Sequence, residues 1–113
     1  MTRRTLPTRR PCITTDTNWH GQPMSVSIGF DPATGDPLET FADARGASSR
    51  HGQIGEIIRD AATTVSWVLQ LGATPDALAK SLGTVPTWVN GAETTAPASP
   101  VGTILAVIRE VQP

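Results

Sequence analysis

Few side chains in this sequence have the types and spacing that catalysis or metal binding requires. His20 and His51 are the only histidines, and neither stands at a metal-ligand spacing from a second good ligand. Cys12 is the only cysteine, which excludes an internal disulfide, a CxxC redox pair and a cysteine-based zinc site. No nucleophile with a base and an orienting group can be recognised. We therefore expect no catalytic residues, no metal and no cofactor, and we expect Cys12 to pack in the core.

Arginine is concentrated near the first residues of the sequence. Arg3, Arg4, Arg9 and Arg10 lie within the first ten residues, whereas the formal net charge of the whole chain is -1. Such a cluster can contact phosphates, RNA or an acidic partner, but no aromatic residues for base stacking are interleaved with it. We interpret residues 1–11 as a basic N-terminal arm that is either solvated or docked on a partner protein. Nucleic-acid binding is the alternative.

A second candidate for anion binding is the loop that precedes a long helical pattern. This loop contains Arg45, Gly46, Ser48, Ser49 and Arg50. Free backbone N–H groups and the helix dipole favour negative charge at such a position. The fuller phosphate-loop pattern is absent, so an ordinary strand-to-helix connection is the competing interpretation. If the chain binds a phosphate or a nucleotide, we expect it here.

The composition fits one small domain. A chain of 113 residues leaves room for little else, and a core this small makes self-association a further expectation. No run approaches the roughly 18 apolar residues of a membrane span, and the first residues lack the apolar segment of a signal peptide. A single cysteine agrees with a reducing compartment. We expect a cytoplasmic protein without a membrane partner, in which residues 12–113 form a single domain.

The sequence over residues 12–43 predicts a three-stranded antiparallel meander. From Met24 to Phe30, apolar residues alternate with small ones, as in a strand that buries one face. Leu38 and Phe41 fall on opposite faces of a regular pleat, so we expect a bulge that brings both to the core. The predicted strands cover residues 12–19, 24–30 and 38–43, with turns over residues 20–23 and 31–36.

Three helices are predicted after the strands. Apolar residues at spacings of three and four indicate a long helix of about 18 residues, which starts near Ile54 and ends before Gly72. Thr74 and Ser99 each precede a proline, a pattern typical of helix starts, and they predict a short helix and a C-terminal helix. Residues 84–98, rich in Thr, Pro, Ala and Gly, are interpreted as a loop. The predicted fold class is α+β, with the three helices packed on one face of the meander.

Several short segments occur in an order that resembles a known domain. They are Leu6-Pro7-Thr8-Arg9-Arg10, then Ser27-Ile28-Gly29-Phe30 with Gly35-Asp36-Pro37-Leu38-Glu39-Thr40-Phe41, then Ser66-Trp67-Val68-Leu69-Gln70-Leu71-Gly72, and Ser99-Pro100-Val101-Gly102. Together they resemble the TSCPD domain, which occurs at or near the C-terminus of adenosylcobalamin-dependent (class II) ribonucleotide reductases and as short standalone proteins. The namesake motif is absent, since residues 84–88 read Thr-Val-Pro-Thr-Trp where it is expected.

The resemblance implies a non-catalytic accessory or interaction module in the context of deoxynucleotide synthesis. Such a module would dock on a larger reductase chain or self-associate. A chain of this length cannot also contain a radical-bearing or cobalamin-binding region, so the resemblance does not imply the reductase reaction itself. The alternative function is a small nucleic-acid- or nucleotide-binding protein that uses the arginine-rich arm and the loop over residues 46–50.

Overall fold

The computed structural model of the protein describes residues 2–46 and 52–112. In this part of the chain, two antiparallel sheets and three helices form an α+β fold, as predicted. The elements in chain order are β1 (Cys12–Trp19), β2 (Gln22–Phe30), β3 (Pro37–Ala44), α1 (Gln53–Gln70), α2 (Pro75–Ser81), β4 (Thr84–Val89), β5 (Ala92–Pro97) and α3 (Pro100–Val111).

The larger sheet has the strand order β1-β2-β3, and its central strand supplies the core. Met24, Val26 and Ile28 of β2 are fully buried, which confirms the alternation predicted for this strand. The turn between β1 and β2 consists of His20 and Gly21, both with positive φ, as a tight antiparallel connection requires. We call the side of this sheet that carries the core residues the inner face, and the opposite side the outer face.

Helices α1 and α3 cover the inner face of the sheet. Helix α1 packs mainly on β3, and α3 packs on β1 and on α1, while α2 packs on α3. Burial of each large aliphatic side chain in this core contributes about 1.5–3 kcal/mol relative to exposure. No helix among residues 2–46 and 52–112 is long and apolar enough to cross a bilayer. The fully buried aliphatic side chains from the helices include Ile58, Leu69, Ile104, Leu105 and Ile108.

A bulge interrupts the pairing of β2 with β3, but it does not bring Phe41 to the core. The register shifts between Gly29 and Phe30, which leaves Leu38 as the extra residue of β3. From Leu38 onward, side chains alternate between the inner and the outer face. Leu38 is therefore 2% exposed, whereas Phe41, three residues later, is 56% exposed. The prediction that both side chains reach the core was therefore wrong.

The prediction of a loop over residues 84–98 was also wrong, because this segment forms the β4–β5 hairpin. The turn residues Asn90 and Gly91 have φ values of 52° and 79°. Asn-Gly is the preferred pair for a two-residue turn of this kind, and the flanking Thr, Val and Trp residues favour strands. The composition of the segment obscured a hairpin that its Asn-Gly pair indicates.

Candidate interaction site

The N-terminal arm is fixed to the rest of the protein by Arg4. Its backbone N–H donates to the carbonyl oxygen of Gln70, at the end of α1, over 2.8 Å. Its guanidinium lies 2.7 Å from a carboxylate oxygen of Asp31 and 3.0 Å from one of Asp36. Hydrogen bonding to Asp36 and Asp31 raises the pKa of Arg4. The Ala33 amide and then Arg4 hold the pKa of Asp31 below its usual range. The arm is therefore anchored and not freely solvated.

Arg10 fixes the arm to β3 on the outer face of the sheet. Its Nε lies 2.6 Å from Oε2 of Glu39, and its Nη1 donates to the carbonyl oxygen of Pro7 over 2.9 Å. Gly29 of β2 lies beneath this ion pair, where a Cβ atom would come within 2.9 Å of the Glu39 carboxylate. The absence of a side chain at Gly29 thus leaves room for the pair.

Arg3 contacts the exposed side of α1. Its guanidinium carbon lies 3.7 Å from the ring centroid of Trp67, which is a cation–π geometry. Its Nε also donates to the side-chain oxygen of Gln70. The amide nitrogen of Gln70 in turn donates to the carbonyl oxygen of Leu38 over 2.9 Å. Gln70 therefore links the arm, α1 and β3.

These contacts bear on the anion-binding interpretation of the arm. Arg4 and Arg10 would have to exchange a carboxylate for a phosphate, because both are already ion-paired. None of the residues that the structure describes pairs with Arg9, which is exposed. A cleft of about 320 Å³ between arm and sheet is lined by Arg3, Arg4 and Arg10, but Glu39 lines it too. A carboxylate in this position disfavours an anionic ligand.

Arg45 and Gly46 are the members of the second anion-binding candidate that the structure describes. Ser48, Ser49 and Arg50 lie outside the described residues. Arg45 follows β3, and its guanidinium lies 2.9 Å from the Asp16 carboxylate of β1. Gly46 has a φ of 105°, a conformation that favours glycine. Arg45 is therefore already ion-paired, and Gly46 provides a left-handed backbone conformation after β3.

Cys12 and His20 do not form a chemical site in the described part of the chain. Cys12 is exposed, so the prediction that it packs in the core was wrong. Its side chain lies on the outer face, because Cys12 pairs with Gly29 of β2 and alternates with Ile13 of the inner face. The Nε2 atom of His20 lies 2.8 Å from the carbonyl oxygen of Pro97, which ties the β1–β2 turn to β5. No group of three or more His, Cys, Asp and Glu residues within 2–46 and 52–112 could hold a metal ion. His51 lies outside the described residues.

The outer face carries one large exposed aromatic side chain, Phe41. Directly across from it lies Ser27 of β2, whose hydroxyl oxygen is 2.8 Å from that of Thr14 in β1. Two residues away on either side along β3 lie Glu39 and Asp43, which share the face with Phe41. Both α1 and α3 cover the opposite face. Phe41 is thus an exposed apolar group on an otherwise small and polar surface.

Two ion pairs flank Phe41. Glu39 is held by Arg10, and Asp43 lies 3.6 Å from the guanidinium of Arg59 in α1. Arg59 is also hydrogen-bonded to Glu56, which is the largest cause of its raised pKa, followed by Asp43. Sequence reasoning missed this arrangement because it assigned Phe41 to the core. The charged residues Glu39 and Asp43, two positions from Phe41 on either side, were the signal that could have revealed it.

Comparisons of this chain with protein-family models, with curated proteins and with solved structures find no match. Within the structure itself, three of the segments noted in the sequence meet at one place. Arg10 of the first contacts Glu39 of the second, and Gln70 of the third contacts Leu38 of the second. In the last segment, Ser99 caps α3 by accepting a hydrogen bond from the Gly102 amide over 3.2 Å.

Proposed function

We propose that this protein is a non-catalytic interaction module of deoxynucleotide synthesis that docks on a larger ribonucleotide reductase chain. The outer sheet face is the docking surface, and the observation that carries the proposal is the exposure of Phe41. That side chain is 56% exposed, whereas its neighbours Thr40 and Ala42 in β3 are buried.

The surroundings of Phe41 suit a small protein interface. Aromatic side chains often dominate binding energy when they fill a pocket of a partner, and a polar rim around them excludes water. Full burial of such a side chain is worth about 1.5–3 kcal/mol. Thr14 and Ser27 leave the surface beside Phe41 low enough for a partner side chain to approach. The two flanking ion pairs supply charges of both signs at the rim.

The ionisable groups whose pKa values are shifted all have structural partners. Ion pairs raise the pKa values of Arg4 and Arg59, and the Ala33 amide together with Arg4 lowers the pKa of Asp31. No described side chain buries a polar atom without a hydrogen-bond partner. These ion pairs hold the arm on the β2–β3 loop and α1 on β3, where they support the proposed docking surface.

The reductase context rests on the resemblance to the TSCPD domain. The segments that carry the resemblance also build the support of the outer face. Arg10 of the first segment holds Glu39. Ser66 of the third segment accepts a hydrogen bond from the amide of Thr40, the residue between Glu39 and Phe41. A chain that shares these segments would therefore present the same side chains on the same surface.

The proposal is tested by calorimetric titration of this protein against a purified class II reductase catalytic chain encoded in the same genome. We expect the wild-type protein to bind. We expect Phe41→Ala to weaken binding about tenfold or more, since centrally placed aromatic residues commonly contribute this much.

Trp88→Ala is the matched control, because Trp88 is 68% exposed but belongs to the separate sheet of the β4–β5 hairpin. It should bind like the wild type. Absence of binding by the wild type, or equal binding by the Phe41 variant when its circular dichroism spectrum is unchanged, would overturn the proposal.

A further inference from the structure

Strand β1 forms an edge of the three-stranded sheet. The other edge, β3, is covered by α1, whose side chains hydrogen-bond its backbone. The N–H of Phe30 donates to the carbonyl oxygen of Pro11 over 3.0 Å, just before β1 begins. Because hydrogen-bonded pairs alternate along an antiparallel ladder, the odd-numbered residues of β1 direct their backbone groups toward β2.

The backbone groups of four β1 residues therefore lie on the outward side of the edge. These residues are Cys12, Thr14, Asp16 and Asn18. Two details agree with this assignment. Asn18 is paired with Pro23, which has no N–H to exchange, and the hydroxyls of Thr14 and Ser27 approach to 2.8 Å, as side chains of a non-hydrogen-bonded pair do. No backbone group among the described residues outside β2 bonds to this outward row.

The edge also lacks the features by which proteins usually prevent strand addition. Such features are prolines, lysines, bulges and unpaired charges. Residues 12–19 contain no proline and no lysine, and the pairing of β1 with β2 is regular over all eight residues. Asp16 is the single charged residue of the strand, and it is not an unpaired charge, because its carboxylate lies 2.9 Å from the Arg45 guanidinium.

We propose that β1 pairs antiparallel with β1 of a second copy of this chain, so that two three-stranded sheets become one six-stranded sheet. A two-fold axis at Thr15 pairs all four outward residues: Cys12 with Asn18 and Thr14 with Asp16, each taken from opposite copies. A shift of the axis to Asp16 would place two aspartates opposite each other, which is unfavourable. The register centred on Thr15 is therefore the favoured one.

The two ends of β1 complement each other in this register. At the start of β1, an apolar cleft of about 260 Å³ is lined by Pro11, Ile13, Phe30 and Val111, among others. Ile13 is 40% exposed there. The register places Trp19 of the second copy opposite Pro11, on the same face of the sheet as this cleft. Trp19 is partly buried against the core of its own chain, where its Nε1 donates to the carbonyl oxygen of Ala98 over 3.2 Å, and its exposed part would lie beside the apolar cleft of the other copy, twice in the dimer.

This inference deepens the self-association expected from the sequence, and it uses the backbone edge of β1, whereas the proposed reductase contact is centred on Phe41 of β3. Light scattering coupled to size-exclusion chromatography gives the first test. At high-micromolar concentration, we expect twice the 11.9 kDa mass of one chain. A monomeric mass would overturn the dimer and leave the reductase titration with Phe41→Ala unaffected.

A charge pair at one position tests the register. Thr14→Asp places a carboxylate opposite Asp16 of the second copy at two symmetric positions, and we expect the dimer Kd to rise roughly tenfold. Thr14→Lys is the matched control, since it removes the same hydroxyl but faces an opposite charge, and it should dimerise at least as well as the wild type. Equal dimerisation of the two variants would contradict the register.

Disulfide trapping gives an independent test. In the Cys12→Ser background, Thr15→Cys should form an intermolecular disulfide under mild oxidation. The two-fold axis places residue 15 of one copy opposite residue 15 of the other, with about 4.5 Å between their Cα atoms. Thr17→Cys in the same background is the control, since the register places Thr17 opposite Ile13. Trapping of the Thr17 variant, or failure of the Thr15 variant, would reject the proposed pairing.

Discussion

Ser66 of α1 and Thr40 of β3 exchange hydrogen bonds across the interface of helix and sheet. The Thr40 amide donates to Oγ of Ser66 over 2.8 Å, and the same Oγ lies 3.0 Å from the Thr40 carbonyl oxygen as a donor. One turn later, Gln70 donates to the carbonyl oxygen of Leu38 over 2.9 Å. Side chains of α1 thus satisfy backbone groups that an edge strand would otherwise leave unpaired.

Replacement of Ser66 by alanine should destabilise the fold. The variant leaves the buried Thr40 N–H without an acceptor, which costs about 1–3 kcal/mol. Urea unfolding followed by circular dichroism measures the change. Thr64→Ala is the control, because the Thr64 hydroxyl is exposed and donates to the carbonyl of Asp60 within the helix. If both variants lose the same stability, the hydrogen bonds to Thr40 do not contribute as proposed.

The pair of Asp31 and Arg4 predicts a loss of stability in acid. The pKa of Asp31 is lower in the folded protein than its ordinary value of 3.8. The stabilisation is therefore present above the unfolded-state pKa and is lost as the pH falls through the lower folded-state pKa. We expect Asp31→Asn to flatten the dependence of Tm on pH below about pH 4. Asp60→Asn, on the exposed side of α1, should keep the wild-type slope, and an equal slope for Asp31→Asn would contradict the prediction.

The hairpin depends on the left-handed conformation of its turn. Gly91 has a φ of 79°, so Gly91→Ala should cost about 1–2 kcal/mol. Asn90→Gly should be tolerated, because glycine also adopts positive φ at that position. Amide hydrogen exchange across β4 and β5 measures the effect locally. Unchanged protection in the Gly91 variant would mean that the hairpin does not require this turn.

The arm allows a comparison of two adjacent arginines. Arg10→Gln should lower stability by roughly 1 kcal/mol, because it breaks a partly buried, charge-assisted bond to Glu39. Arg9→Gln should leave stability unchanged. We expect neither variant to alter binding of single-stranded DNA at physiological salt, since the wild type should bind it weakly. Tight, salt-dependent binding that both substitutions weaken would favour the nucleic-acid alternative.

Local patterns predicted most of the elements of this fold. The alternation around Met24 located β2, and the Thr74 and Ser99 caps located α2 and α3, because these signals lie within a few residues of the structure they determine. The β4–β5 hairpin was missed although Asn90 and Gly91 indicate it. Its proline and alanine content favours a loop, whereas its Asn-Gly turn favours a hairpin.

The contacts of the candidate site could not be predicted in the same way. Arg10 and Glu39 are 29 residues apart, and Thr40 and Ser66 are 26 apart. No local pattern specifies which arginine of the arm meets which carboxylate, because that depends on the packing of α1 against β3. The exposure of Phe41 follows from the position of the bulge. A shift of the bulge by one residue along the strand would turn Phe41 to the opposite face.

The coverage of β3 by Ser66 and Gln70 also limits how far strand pairing can extend the sheet. A sheet with two open edges can add copies without end and grow into a filament. With α1 over one edge, the proposed pairing of β1 with its own copy uses up the free edge of both chains. The assembly would close at two copies, so that a strand without protective charges does not lead to fibrous aggregation.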